Sequence, residues 1–169
     1  MQPGERTLYY FLSIPATDEF LPIKRLINAS LKQPGIAPIA TTMQKTLDGI
    51  SFENESGKKI EFEQGLVIGS VVQAIKRSDF IIADLTGLNP NVLYEVGFAH
   101  ALRKPVLLMI QPENSRIPSD ISGNRFFIYE LSVVKDDVIS EFLKDEIQQW
   151  VTNLKQSLFT ESGKSDKND

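Results

Sequence analysis

The sequence contains no cysteine and a single histidine, His100. The first absence excludes disulfides, thiolate metal sites and thiol nucleophiles. The second excludes a histidine-rich metal site and argues against a Ser-His-Asp relay. Positive charge is also scarce: 18 Lys and Arg stand against 22 Asp and Glu, for a net charge of −4. That balance lacks the basic footprint of a protein that grips extended nucleic acid. A small anion is still admissible as a ligand, because helix N-termini hold phosphate without net positive charge. No apolar run approaches the ~20 residues of a membrane span. The opening MQPGERTLYYFLSIP lacks the basic-then-apolar order of a leader. Cytoplasmic residence without membrane contact is the resulting expectation.

What is present suits one domain. The chain has 169 residues, 41% of them hydrophobic, enough to bury a core without staples. Leu8 to Ile14 is an apolar run closed by Pro15 and predicts a first buried strand. Asp18 is a candidate cap for a helix carrying Phe20, Ile23, Leu26, Ile27 and Leu31 at helical spacing, ended by Gly35. Ile36 to Ala40 is a second strand. Residues 44–63 alternate around the polar stretch Glu53 to Lys58, which suggests an inserted β-hairpin or a long loop. Val67, Val71, Val72 and Ile75 give the next helix a stripe. FIIADL, residues 80–85, is the clearest central strand, apolar on both faces as in a parallel sheet. A helix follows over Asn91 to Arg103, with Asn89 as its cap and Pro90 in its first turn. PVLLMI and Phe126 to Tyr129 supply two more strands. Val138 to Leu158 reads as an amphipathic helix with Phe142, Ile147, Trp150, Val151 and Leu154 on its apolar side.

This alternation predicts a flavodoxin-like α/β domain over residues 1–160 and a solvated tail over 161–169. Its five-stranded parallel sheet, in the order 2-1-3-4-5, would carry helices on both faces. In such sheets ligands sit beyond the carboxyl ends of the strands. Ser13, Pro15, Asp84, Gly87, Asn89, Asn91 and Glu95 all fall at that edge and are the candidate site residues. Asp84 ends a strand, and Gly87 permits close approach of a ligand to the backbone. Asn91 and Glu95 are i, i+4 neighbours on one helix face. Gly97 implies close packing or access, since Gly costs about 1 kcal/mol in a helix. His100 lies roughly 140° around the helix from Glu95 and reads as structural, and Tyr94 as a packing residue.

The stretch SDFIIADLTGLNPNVLYEVGFAHALRKPVLLM resembles the core of the nucleoside 2-deoxyribosyltransferase-like superfamily. Its relatives include small nucleotide N-glycosidases and Toll/interleukin-receptor-like domains that cleave NAD. The shared pattern is a strand ending in Asp, a loop with Asn or Asp, Tyr-Glu-x-Gly-x-Ala, and Lys-Pro. Asp84, Asn89 and Asn91, Tyr94 to Ala99, and Lys104-Pro105 match it here. The resemblance implies a hydrolase or transferase that cleaves or exchanges the N-glycosidic bond of a nucleoside, nucleotide or NAD. Glu95 would be the nucleophile, a carboxylate suited to an oxocarbenium-like transition state. Asp84 would assist catalysis, with Ser13, Pro15, Gly87, Asn89 and Asn91 binding ligand. Asn89 departs from the Asp common at its position in the transferases and cannot act as an acid. A pyridinium leaving group needs none. The alternative is a non-catalytic nucleotide sensor, such as a subunit of a bacterial defence or signalling system. A response-regulator reading ranks last, because the first strand ends Ser13-Ile14-Pro15 without an acidic pair. No cofactor and no metal are implied, and self-association is left open.

Overall fold

The computed structural model describes residues 6–39, 43–46, 49–53, 59–60, 67–112, 117, 119–130 and 137–162. Five strands form one parallel sheet: β1 (Leu8–Ser13), β2 (Ile36–Pro38), β6 (Phe80–Asp84), β7 (Val106–Ile110) and β8 (Phe126–Ile128). Their order is β2-β1-β6-β7-β8, and every pairing is parallel. This is the expected 2-1-3-4-5 arrangement of a flavodoxin-like α/β fold. A separate antiparallel sheet consists of β3 (Met43–Thr46), β4 (Gly49–Glu53) and β5 (Lys59–Ile60). The β4–β5 pair lies where the hairpin was expected, while β3 adds a strand that the alternation did not announce. The turn between β4 and β5 lies outside the described residues.

Four helices flank the parallel sheet: α1 (Leu21–Ser30), α2 (Val67–Arg77), α3 (Pro90–Ala101) and α4 (Asp137–Ser162). The period of two along each strand divides the core. Leu8, Tyr10, Phe80, Ile82, Leu107 and Met109 pack with Ile23 and Ile27 of α1 and Leu143, Ile147 and Val151 of α4. Phe11, Ile81, Ala83, Leu108 and Ile110 pack on the opposite face with Val71, Ala74 and Ile75 of α2 and Val92, Val96 and Ala99 of α3. Burying a side chain the size of Phe80 or Ile82 contributes roughly 1.5–3 kcal/mol, so β6, with all five residues buried, anchors both layers.

Local chemistry explains the boundaries. Asp18 makes no cap; a short 3-10 turn, Asp18–Phe20, leads into α1, whose first turn holds Pro22. Helix α1 ends at Ser30, and Gly35 instead takes the turn into β2 at φ 77°. Pro38 sits on β2, an edge strand, where a missing N–H is tolerated. Lys104, from the Lys-Pro pair, donates through Nζ to the carbonyls of Lys76 and Ser78 at 2.9 and 2.6 Å, closing the C-terminus of α2. In α4 the buried positions are Leu143, Ile147 and Val151, at strict i, i+4 spacing, and Phe142 is 65% exposed. Phe142 was therefore assigned one residue out of phase, about 100° around the helix. The helix runs to Ser162, two residues beyond the expected domain boundary, and 163–169 lie outside the described residues. Among the described residues no helix is long and apolar enough to cross a membrane.

Candidate active site

Ser13 closes β1 and pairs in register with Ala83. Ala83 belongs to the core layer under α2 and α3, so Ser13 presents its side chain to that same layer. There its hydroxyl donates to Oε2 of Glu95, across 82 residues of chain. Glu95 stands on the second turn of α3. The position of that helix is fixed by its cap: Asn89 Oδ1 accepts from the N–H of Asn91 at 2.9 Å, and Pro90 opens the helix. Glu95 is half-buried, and burial pushes its carboxyl above the ordinary carboxylate value, while the Ser13 hydrogen bond pulls it part of the way back. Among the described residues no cation pairs with it. A partly desolvated, unpaired carboxylate is available to bond a carbon centre or to face a developing cation.

Asp84 has different surroundings. It pairs in register with Met109, a member of the layer under α1 and α4. Its carboxylate has no exposed surface. Oδ1 accepts the N–H of Thr86 at 3.0 Å, and Oδ2 accepts the phenol of Tyr129, the residue after β8. Thr86 Oγ1 in turn accepts the N–H of Gln111 at 3.0 Å. Burial raises the Asp84 carboxyl above its usual range, opposed by its hydrogen bonds to Thr86 and Tyr129. Burial first, and then the adjacent Asp84, push the Tyr129 phenol far above its ordinary value, so it stays a donor. The ends of β6, β7 and β8 are thus tied together beneath the loop that leads to α3. In that loop Gly87 and Leu88 both adopt positive φ, 70° and 50°. Gly87 suits that region; Leu88 is strained there.

The structure therefore brings Ser13 to Glu95 and joins Asn89 to Asn91, but pairs Asp84 with the face under α1 and α4 while Glu95 rides on α3 over the opposite face. Asn91 and Gly87 are exposed, and Pro15 is buried. His100 is exposed. Tyr94 is 54% exposed and does not pack, and nothing described lies within 4 Å of a Cβ added at Gly97, so close packing does not explain that glycine. Tyr129, Thr86 and Gln111 were not foreseen. A cavity of about 570 Å³ lies between α1 and the β1–β2 edge, lined by Tyr10, Asn28 and Pro38 among others, and none of the seven expected residues borders it. Among the described residues no group of three or more His, Asp or Glu could hold a metal ion.

No protein-family model matches the chain. A human protein, 5-hydroxymethyl-dUMP N-hydrolase, is 25% identical over 134 residues, which span 76% of this chain and 74% of the relative. The solved structure of a Clostridium botulinum CMP N-glycosidase, BcmB, superposes with a TM-score of 0.45 at 21% identity, covering 73% of this chain and 92% of that one. The similarity to the human N-hydrolase, the motif of residues 79–110 and the sheet order all agree with the resemblance to the nucleoside 2-deoxyribosyltransferase-like superfamily.

Proposed function

We propose that the protein hydrolyses the N-glycosidic bond of a nucleotide, with Glu95 as nucleophile. The observation that carries this reading is the Glu95 carboxylate itself: half-buried, free of any described cation, and held by Ser13 at the carboxyl edge of a parallel sheet. The activity for which the human relative is named, N-hydrolysis of a nucleotide, supports the substrate class. In the first step a Glu95 oxygen bonds to the anomeric carbon as the C–N bond breaks, and that electron pair leaves with the base. In the second, water attacks the anomeric carbon and the bond to Glu95 breaks, returning its pair to the carboxylate. The proton lost by the water passes to the released base where that base leaves as an anion, and to solvent where it leaves neutral. Negative charge beside the anomeric carbon stabilises the oxocarbenium-like transition state of each step.

Asp84 takes a supporting part in this scheme. It is sealed under the loop and bonded to Thr86 and Tyr129, so it holds the loop and touches no substrate. Asn89 is spent on its cap. Neither residue supplies a proton to the leaving base. That favours a base that departs without one, such as the nicotinamide of NAD, or one protonated by solvent. The same observation favours a second reading, a nucleotide sensor without catalysis. Incubation with nucleosides, nucleotides and NAD, followed by chromatography for free base, separates the two. Base release that falls by orders of magnitude in Glu95→Gln, with ligand binding kept, is the expected result. Absence of release from every compound leaves the sensor reading, and an unaffected Glu95→Gln removes the nucleophile assignment.

A further inference from the structure

We infer that Ser13 is a positioning residue that selects which oxygen of Glu95 meets the anomeric carbon, an inference that rests on the nucleophile reading above. Ser13 is 1% exposed, so its hydroxyl is out of reach of a ligand and acts only through what it holds. What it holds is Oε2 of Glu95. Among the described residues Oε1 has no hydrogen-bond partner, and Ser13 lies on the buried side of α3. Oε2 is therefore the inner oxygen, and Oε1 the outer one that forms the bond to carbon. A glutamate left to itself samples several rotamers and a broad range of tilts of its carboxylate plane; one buried donor fixes the plane.

The bond also changes strength along the reaction. It is charge-assisted while Glu95 is a carboxylate and neutral once Oε1 is esterified and Oε2 is the ester carbonyl. Ser13 thus favours return of the pair to Glu95 in the second step. The elements packed against α3 add no competing charge at this end. β1 and β7 carry no charged residue, and α2 brings Lys76 and Arg77 at its far C-terminus. β6 brings Asp84, which is engaged on the other face by Thr86 and Tyr129.

The test compares Ser13→Ala and Ser13→Thr with wild type in two measurements. The first is the titration of Glu95 by carbon-13 NMR of its side-chain carboxyl, which needs no turnover. Loss of the donor in Ser13→Ala should move that titration upward, and Ser13→Thr, which keeps a hydroxyl, should restore it. The second is base release from the best nucleotide of the panel. In Ser13→Ala kcat should fall on the order of tenfold at neutral pH, with KM unchanged and the acid limb of the profile shifted upward. A merely structural serine would change the melting temperature and leave the Glu95 titration and the acid limb where they are. An unmoved Glu95 titration, or a Ser13→Ala enzyme as fast as wild type, overturns the inference. If the wild type releases no base, the nucleophile reading fails, and the NMR comparison still decides whether Ser13 governs the carboxylate.

Discussion

Replacing Tyr129 by Phe removes one oxygen from the base of the site and nothing else of consequence. That oxygen donates to Oδ2 of Asp84, a carboxylate with no exposed surface. A hydrogen bond to a buried charged group is worth about 1.5–3 kcal/mol, and water cannot readily take the place of the lost donor there. The expected cost at neutral pH is therefore about 2 kcal/mol, or roughly 4–8 °C in melting temperature for a chain of this size. The cost should also depend on pH, with a definite sign. The Asp84 carboxyl is raised in the folded protein. Its contribution to stability is then full below the ordinary carboxylate value and is lost as pH climbs through the raised folded value. Removing the phenol, one of the bonds that oppose the rise, makes the ionised form costlier still. The gap between variant and wild type should widen from acid to neutral pH. Urea titrations of both proteins at several pH values measure it, and Asp84→Asn supplies a background in which the charge is gone. There the Tyr129→Phe cost should shrink, since the coupled pair no longer includes a buried anion. An equal cost at every pH and in both backgrounds would show that the phenol stabilises the fold by packing alone.

Two further predictions concern the frame around the site. Arg103 lies just past α3 at φ 53°, with its N–H and that of Lys104 closing onto the carbonyls of His100 and Ala99. This is a position that glycine occupies without strain, so Arg103→Gly should raise stability by about 0.5–1 kcal/mol by thermal denaturation, and a loss would mean that the Arg side chain contributes more than its backbone costs. Lys104→Met keeps the aliphatic stem but loses both bonds to the end of α2, and should lower stability by about 1 kcal/mol after allowing for partial exposure. Hydrogen exchange at the last turn of α2 should speed up with it; unchanged exchange there would show that the cap is not the source of any loss.

Much of this frame could be read directly from the chain. FIIA and PVLLMI are unbroken apolar runs, and the helix between them announces itself through Asn89 and Pro90. These are local signals, and local signals survive folding. Tyr129 could not be found this way. Its neighbours Phe126 to Ile128 read as an ordinary apolar strand, and its partner stands 45 residues earlier, joined only by the strand order. On α4, Ile147, Trp150, Val151 and Leu154 do face the core, and only Phe142 was misplaced, because Phe142 and Leu143 are adjacent and equally hydrophobic. Only packing against the sheet decides which of them turns inward.

The parting of Asp84 from Glu95 was legible after all, through parity. Along a strand, residues of like parity share a face. Asp84 shares parity with Phe80 and Ile82, which pack toward α1 and α4. Glu95 rides on α3, which covers the face of Ile81 and Ala83. Eleven residues apart in sequence, the two carboxylates look like a catalytic pair, but a strand of period two delivers the first to one side and the crossover delivers the second to the other. Two buried anions on one face would repel, and each would raise the other's proton affinity. With Asp84 turned under the loop and hydrogen-bonded by two donors, Ser13 is the group that holds Glu95, and the loop of Gly87 and Leu88 is held where α3 must start.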